Sequence, residues 1–350
     1  MLFVGVMMLA VSIFGAAGLL SFGPSPAYSE QSAPLDAWAA AAPGRVEPKG
    51  RELRVAASSP GAIKEVLVEL NDKVKAGDLL IRLDDEELKA KLAAVKADAA
   101  VRLADRDTDK VKGLALDRRK AEDSLYTAER NAFDARIELD RLISLSRRHE
   151  ISAGEVQQGR DAVKASAEKV ERERANLKHL LQGKNLPSLT RLEAALSAAR
   201  AEVSVVSTAL ERTHIRAPVD ASVLELRAKI GEMSSPASEA SLLVLGDTSH
   251  LQVRAEVEER DVHKIYPGQA AIVRSDAFPD RAFEARVSLV ASSLGSPQLT
   301  ARGQRKQTDV DVLEVVLDLE GNVPLLPGMR ADVLFKEAGA MQKSTGVKTE

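Results

Sequence analysis

The 350-residue chain has no cysteine. Disulfides, thiol chemistry and cysteine metal sites are excluded, as is a lipoprotein anchor, which needs a cysteine to acylate. Aromatic residues are scarce, at 3%. Bases do not exceed acids: 49 Lys and Arg stand against 52 Asp and Glu, a net charge of −3. A nucleic-acid partner is not expected, because its surface needs a basic excess interleaved with aromatics. The five histidines, at 149, 179, 214, 250 and 263, show no metal-ligand spacing. There is no phosphate-cradling glycine loop and no nucleophile elbow. Asp84-Asp-Glu-Glu87 could imitate a metal site, but acids at a helix start are better explained by capping and the helix dipole. The sequence therefore offers no catalytic, cofactor-binding or metal-ligating residues, and an enzyme is not expected. Any ATP hydrolysis coupled to this protein belongs to another chain.

One long uncharged run is present. Met1 to Leu20 carries no charge, and the first charged residue is Glu30. About 20 apolar residues can span a bilayer core. The run is also compatible with a signal peptide cut near Ser25-Pro-Ala27. Either reading of residues 1–22 sends the remainder across the inner membrane, anchored or released. Residues 23–44 are rich in Pro, Ala, Ser and Gly and read as a linker.

Two β-patterned stretches follow, separated by more than 120 residues of helical pattern. In the first, residues 61–83, Val66, Val68 and Leu70 alternate with Glu65, Leu67 and Glu69, and Asn71-Asp72 and Ala76-Gly77 supply turns. The second, residues 213–246, contains Val223 and Leu243–Leu245. Neither has enough strands to bury a face alone. They are expected to pair across the insertion, with residues 45–60 as a membrane-proximal strand region.

The insertion, residues 84–212, is rich in Ala, Leu, Glu, Lys and Arg. Asp84 is placed to cap a helix, with Glu87 three residues on and Leu83 and Leu88 as a staple. Leu88, Leu92, Val95 and Ala99 form an apolar stripe, which blurs around Asp105–Asp109. It resumes at Leu125, Ala128, Ala132, Ala135, Leu139 and Leu142, at coiled-coil spacing. The pattern stops at 147–154, and Ser152 with Glu155 forms a second capping box. Val156, Val163, Val170 and Leu177 recur every seven residues. Gly183 and Pro187 interrupt the helix, which restarts near Ser188 or Thr190 and runs through Leu192, Leu196, Ala199, Val203, Val206 and Leu210. Two arms of about 60 residues, on the order of 90 Å each as helix, joined by a short turn, predict an antiparallel hairpin with its tip near 147–154. One long helix in a parallel dimer is the alternative.

Residues 247–290 then read as a small β-barrel. Glu258–Ile265 is a short helix candidate and Tyr266-Pro-Gly268 a turn. Residues 291–337 read as the end of the barrel and a membrane-proximal β domain, with a polar loop over 294–308. Residues 338–350 read as a disordered tail.

These motifs resemble the HlyD family of periplasmic adaptors, or membrane fusion proteins. Gly61, Ile63, Val66 and Val68, followed by Asp72, Val74, Gly77, Leu80, Leu83 and Asp84, look like the first half of its split biotinyl/lipoyl domain. Ile215-Arg-Ala-Pro218 and Val223 look like the second half, with Asp220-Ala221 where the family usually has Asp-Gly. Val257-Glu-Glu-Arg-Asp-Val262, Ile265 and Gly268-Gln269 resemble the adaptor barrel, and Pro327–Val333 its closing strand. The resemblance covers roughly residues 45–336. It implies an elongated α+β fold: a split lipoyl-like β domain with an inserted α-helical hairpin, a β-barrel and a membrane-proximal β domain. It implies no carrier lysine, since the helices replace the hairpin that would present one.

The resemblance also implies partners. Arg141, Leu142, Leu145 and Ser152 look like the tip motif of adaptors that dock on TolC-like outer-membrane channels. Leu142 as a seam residue and Ser152 as a helix cap account for part of that match. A long interrupted hairpin resembles adaptors of ABC-type exporters, such as the DevB-like and YbhG-like groups; RND or MFS pumps are the alternative. Family analogy gives a hexameric funnel in the periplasm, tied to the inner membrane. A biotin- or lipoate-carrying enzyme subunit is the competing reading from another class, and a structural coiled-coil protein the third.

Overall fold

The computed structural model describes residues 38–182, 187–236, 241–298, 311–321 and 323–337. The expected anchor or signal over 1–22, the tail over 338–350 and most of the polar loop over 294–308 lie outside the described residues. Among the described residues, no helix is long and apolar enough to cross a membrane.

The chain enters through an 18-residue strand, β1 (Trp38–Val55), which leads to the first β half: β2 (Gly61–Val66), β3 (Lys73–Val74) and β4 (Leu79–Leu83). Four helices follow: α1 (Glu86–Asp107), α2 (Leu114–Arg147), α3 (Ala153–Leu181) and α4 (Arg191–Glu211). The second half comprises β5 (His214–Arg216), β6 (Ala221–Leu226) and β7 (Met233–Ser234). A 16-residue strand, β8 (Leu243–Glu258), leads out to β9 (Ala270–Arg274), β10 (Ala282–Gly295), β11 (Val312–Leu319) and β12 (Arg330–Lys336).

The two β halves pair across the insertion. β2 pairs with β7, β3 with β6 and β4 with β5, all antiparallel. Reciprocal backbone bonds lock them: Ile63 N donates to Glu232 O and Gly231 N to Ile63 O, both at 2.8 Å. Asp220 Oδ1 accepts from Ala76 N at 2.8 Å, so the turn with Asp-Ala still ties one half to the other. Leu80, Ile81, Leu83, Val223, Leu243 and Leu245 fill the shared core. Each half alone would leave this face in water.

β1 and β8 serve both β units. Their near ends pair at Leu53–Val55 with Leu243–Leu245, and their far ends at Gly44–Pro48 with Leu251–Ala255. Between these, Gly50 and Arg51 take positive φ and the register shifts. The far ends belong to a closed barrel in the order β1-β12-β9-β10-β11-β8, with β8 returning to β1. Val253, Ala255 and Val257, or Ala331, Val333 and Phe335, face inward with a period of two. Closure leaves no strand edge within the ring.

The boundaries differ from expectation at three places. β1 begins at Trp38, inside the stretch read as linker, because Ala40 and Ala42 are small enough to point into the barrel. Residues 45–55 are the middle and end of that shared strand. β11 and β12 close the same barrel as β8–β10, so 291–337 contributes no separate membrane-proximal sheet among the described residues. Glu259–Lys264 forms the expected short helix, as a 3-10 turn.

The helical insertion has the expected partners but is folded over on itself. α1 packs on α4 and α2 packs on α3, as in a hairpin. The arms are not continuous, however. The outgoing arm breaks where the stripe blurs: Thr108 Oγ1 and Thr108 N both bond Asp105 O, and Gly113 holds φ 58°, ψ −138°. That conformation suits glycine alone. α2 therefore runs back toward the β domain alongside α1.

Candidate functional site

The fold-back brings the 147–154 turn onto the split β domain. Arg147 Nη1 lies 2.6 Å from Asp72 Oδ2, in the β2–β3 turn. Arg160, on the second turn of α3, makes a two-pronged bond to Asp78, with Nε to Oδ1 at 2.9 Å and Nη2 to Oδ2 at 2.8 Å. Ser144 Oγ donates to Glu65 Oε1 at 3.2 Å, and Lys75 Nζ to Gln157 Oε1 at 3.1 Å. A cavity of about 480 Å³ remains between the two surfaces, lined by Val66, Val68, Ile143, Val156 and others. The seat is polar and incompletely packed.

Farther up α2 a buried polar junction joins helix and sheet. Arg216 Nη2 donates to Asp140 Oδ2 at 2.7 Å, and Nη1 bonds the other carboxylate oxygen. The His214 ring lies between two carboxylates: Nδ1 is 3.2 Å from Asp140 Oδ2 and Nε2 is 3.2 Å from Asp85 Oδ2. Burial pushes the Asp140 carboxyl up, but hydrogen bonds from His214 and Arg216 outweigh it and hold the group below its usual range. Asp85 is depressed likewise, with burial opposed by bonds from Lys89 and His214. The carboxylates are thus kept charged by partners on the β domain and the first turn of α1.

The sequence placed the first cap at Asp84. The helix instead starts at Glu86, and Asp84 Oδ1 reaches Glu86 N only at 3.4 Å. Asp85 occupies the capping position, but its carboxylate is turned to Lys89 and His214. The Ser152–Glu155 capping box forms as expected, and Thr190–Glu193 forms another at the start of α4.

Three of the four tip residues lie in the last two turns of α2, and Ser152 stands at the start of α3. Arg141 is exposed and bonded to Glu138 through Nε and Nη2, at 2.9 and 2.6 Å. Leu142 is half-buried in the α2–α3 seam, where its Cδ1 would meet a Cβ added at Gly159. Leu145 is half-buried, and its carbonyl accepts from Arg148 N and Glu150 N to close the turn. Ser152 caps α3. The expectation that this turn forms the far end of a stalk is corrected: α2 is long enough to carry it back to the β domain.

The far end of the folded insertion is formed where α1 meets α2 and α3 meets α4. Arg118 Nη2 donates to Glu193 Oε2 at 2.9 Å, Arg119 bonds the other oxygen, and Arg118 Nη1 donates to Pro187 O at 2.6 Å. Sequence reading missed this cluster, and the junction around Asp140, since the charges resembled a solvated face. Among the described residues, no group of three or more His, Asp and Glu could hold a metal.

Comparisons with known proteins agree with this architecture. Residues 51–246 match the family described as RND MFP, barrel-sandwich hybrid domain, and residues 251–333 match the YknX-like beta-barrel domain. Multidrug resistance protein MdtN of Escherichia coli O6:H1 is 30% identical over 240 residues, which is 66% of each chain. Macrolide export protein MacA of Yersinia pestis is 26% identical over 222 residues, covering 63% of this chain and 50% of that one. The crystal structure of MacA from Actinobacillus actinomycetemcomitans shares the fold, with a TM-score of 0.52 at 19% identity, over 85% of this chain and 78% of that one. The match spans both β halves and the helices between them, more than half of the sequence, and the chain belongs to the membrane fusion protein family of periplasmic adaptors.

Proposed function

We propose that this chain is a non-enzymatic adaptor that links an inner-membrane exporter to a TolC-like outer-membrane channel, sealing the path between them. The observation that carries this reading is the split β domain, joined strand by strand across a helical insertion and continuous with a barrel through β1 and β8. Such a body has a β platform that carries a helical insertion. The relatives named for multidrug resistance and macrolide export favour efflux or secretion.

The pump is assigned as ABC-type, of the kind served by DevB-like and YbhG-like adaptors, on the long interrupted helical insertion. The matched family's description names RND, which keeps an RND or MFS pump as the second reading. The adaptor is assigned to the periplasm, held at the inner membrane through residues 1–22, and to a hexameric ring. Docking of Arg141, Leu142, Leu145 and Ser152 on a channel requires an arm that carries them away from the β domain.

The test is purification of the intact assembly from membranes after mild crosslinking. Co-purification of an ATPase with its permease supports the ABC reading, and an RND or MFS pump replaces it with the second. An adaptor recovered with no transporter or channel, from cells lacking no export activity when its gene is deleted, overturns the function.

A further inference from the structure

We propose that the cavity between the α2–α3 turn and the split β domain is a binding site for a small organic anion with an apolar body. Its occupancy is independent of which pump or channel the chain serves. The space measures about 480 Å³, within the range of roughly 300–1,000 Å³ typical of small-molecule sites.

The floor is apolar. Val68, Ile143 and Val156 are buried, and Val66 lines the space with them. Side chains that face a gap forgo the dispersion contacts of a close-packed core. An apolar occupant supplies the contacts that the protein leaves unmade.

The rim is rich in donors. Arg160 is matched by Asp78 through two nitrogens, and Arg147 meets Asp72 through one. A guanidinium carries five N–H donors, so each arginine keeps others. Lys73 and His149 also line the cavity, and neither side chain has an ion pair or hydrogen bond among the described residues. Glu69 is the rim acid with no basic partner among the described residues. Donors thus outnumber acceptors. That balance selects a ligand bearing a carboxylate, sulfonate or phosphate over a cation or a neutral molecule. Lys73 belongs to β3, while Arg147, His149 and Arg160 belong to the helical pair and its turn. One anion can therefore take donors from both surfaces.

His149 carries a cost that its own turn does not require. His149 N donates to Ser146 O and Glu150 N to Leu145 O, the two-bond closure of a helix C-terminus. That closure holds His149 at φ 59°. Glycine is preferred there, since an L side chain is strained in this conformation. Backbone groups alone close the turn. The imidazole is on the rim of the cavity, and strained residues of this kind gather at ligand clamps.

The test is isothermal titration calorimetry on the full chain with two probes. One is naphthalene sulfonate, an aromatic anion; the other is naphthalenemethanol, a neutral molecule of like size. The sulfonate should bind at one molecule per chain, about tenfold more tightly than the alcohol. Lys73→Ala combined with His149→Gly should weaken it about tenfold. Glu69→Gln should tighten it about threefold by removing the opposing charge. All three residues are exposed, so these substitutions leave the core untouched. His149→Gly alone should weaken the sulfonate about threefold, yet slow amide exchange at the end of α2 about fivefold, because glycine relieves the positive φ. A purely structural histidine does not produce a steadier turn together with a weaker ligand. Equal sulfonate affinity in wild type and the double variant, heat that never saturates, or equal affinity for the two probes overturns the site.

Discussion

Arg147 Nη1 and Asp72 Oδ2 lie 2.6 Å apart, although 75 residues and most of two helices separate them in the chain. The pair is half-exposed, so its own energy is small. Its significance is positional: it fixes the end of α2 on the β domain from which α1 departs.

The buried junction beside it should matter more for stability. Asp140→Asn removes the charge that faces Arg216 and His214, and leaves Glu211 as the carboxylate beside Arg216. Losing one partner of a buried pair costs about 3 kcal/mol. The expected outcome is a lower urea midpoint for loss of helical circular dichroism. A midpoint equal to wild type would show that water already reaches the junction.

Acid should act at the same place. Asp140 and Asp85 both have carboxyl groups held below their ordinary value of 3.8 in the folded chain. A depressed folded value means the unfolded state binds protons first, so stability is fully present above about pH 4 and falls as pH drops below it. Denaturant midpoints measured between pH 7 and 3 should be flat at the top and fall at the bottom. In Asp140→Asn the fall should be shallower, since one of the two groups is gone.

Glu193 joins the far end. Glu193→Ala leaves Arg118 and Arg119, both nearly buried, facing one another without their shared carboxylate, and removes half of the Thr190 capping box. About 3 kcal/mol of local stability should be lost, read as faster amide exchange through the first turns of α4. Glu193→Gln should recover part of it, because the side-chain oxygen can still accept from Thr190 N.

Ser152 separates capping from docking. Its side chain accepts from Glu155 N while Glu155 Oε2 accepts from Ser152 N at 2.8 Å. Ser152→Ala should cost about 1 kcal/mol, seen as faster exchange at the start of α3. Ser152→Thr keeps a hydroxyl that accepts from Glu155 N and donates to Glu155 Oε2. If Ser152→Thr abolishes channel-dependent export while exchange is unchanged, the residue also contacts a partner.

Gly44 tests the barrel. A Cβ there would lie 2.7 Å from Val253 Cγ1, 3.1 Å from Val333 Cγ2 and 3.2 Å from Arg254 O. The last is backbone and cannot rotate away. Gly44→Val should destabilise the barrel by about 2 kcal/mol through overpacking, with exchange rising in β1, β8 and β12 and not in the helices.

Much of this architecture was legible from local pattern. The period of two in Val253, Ala255 and Val257, the seven-residue repeat of α3 and the Ser152–Glu155 box each act over a few residues, so spacing alone reveals them. Trp38–Gly44 was not legible as strand, because a run of alanines looks like a linker until a barrel interior of fitting width surrounds it. Nor was the Asp140–Arg216–His214 junction. A charge on a helix is read as solvated unless a distant strand is known to cover it.

Local pattern dictated that two β halves must meet across a helical insertion, since neither could bury a face alone, which arms pair, and that Ser152 caps a helix. It also carried a blurred apolar stripe around Asp105–Asp109, without showing that the outgoing arm breaks there. Only the tertiary structure decided what that break does. A two-helix seam is satisfied equally by a straight stalk and by a folded one. The choice rests on contacts between segments far apart in the chain: Asp72 with Arg147, Asp78 with Arg160 and Glu193 with Arg118 and Arg119. No local pattern records those pairs, because each residue taken alone is an ordinary surface charge.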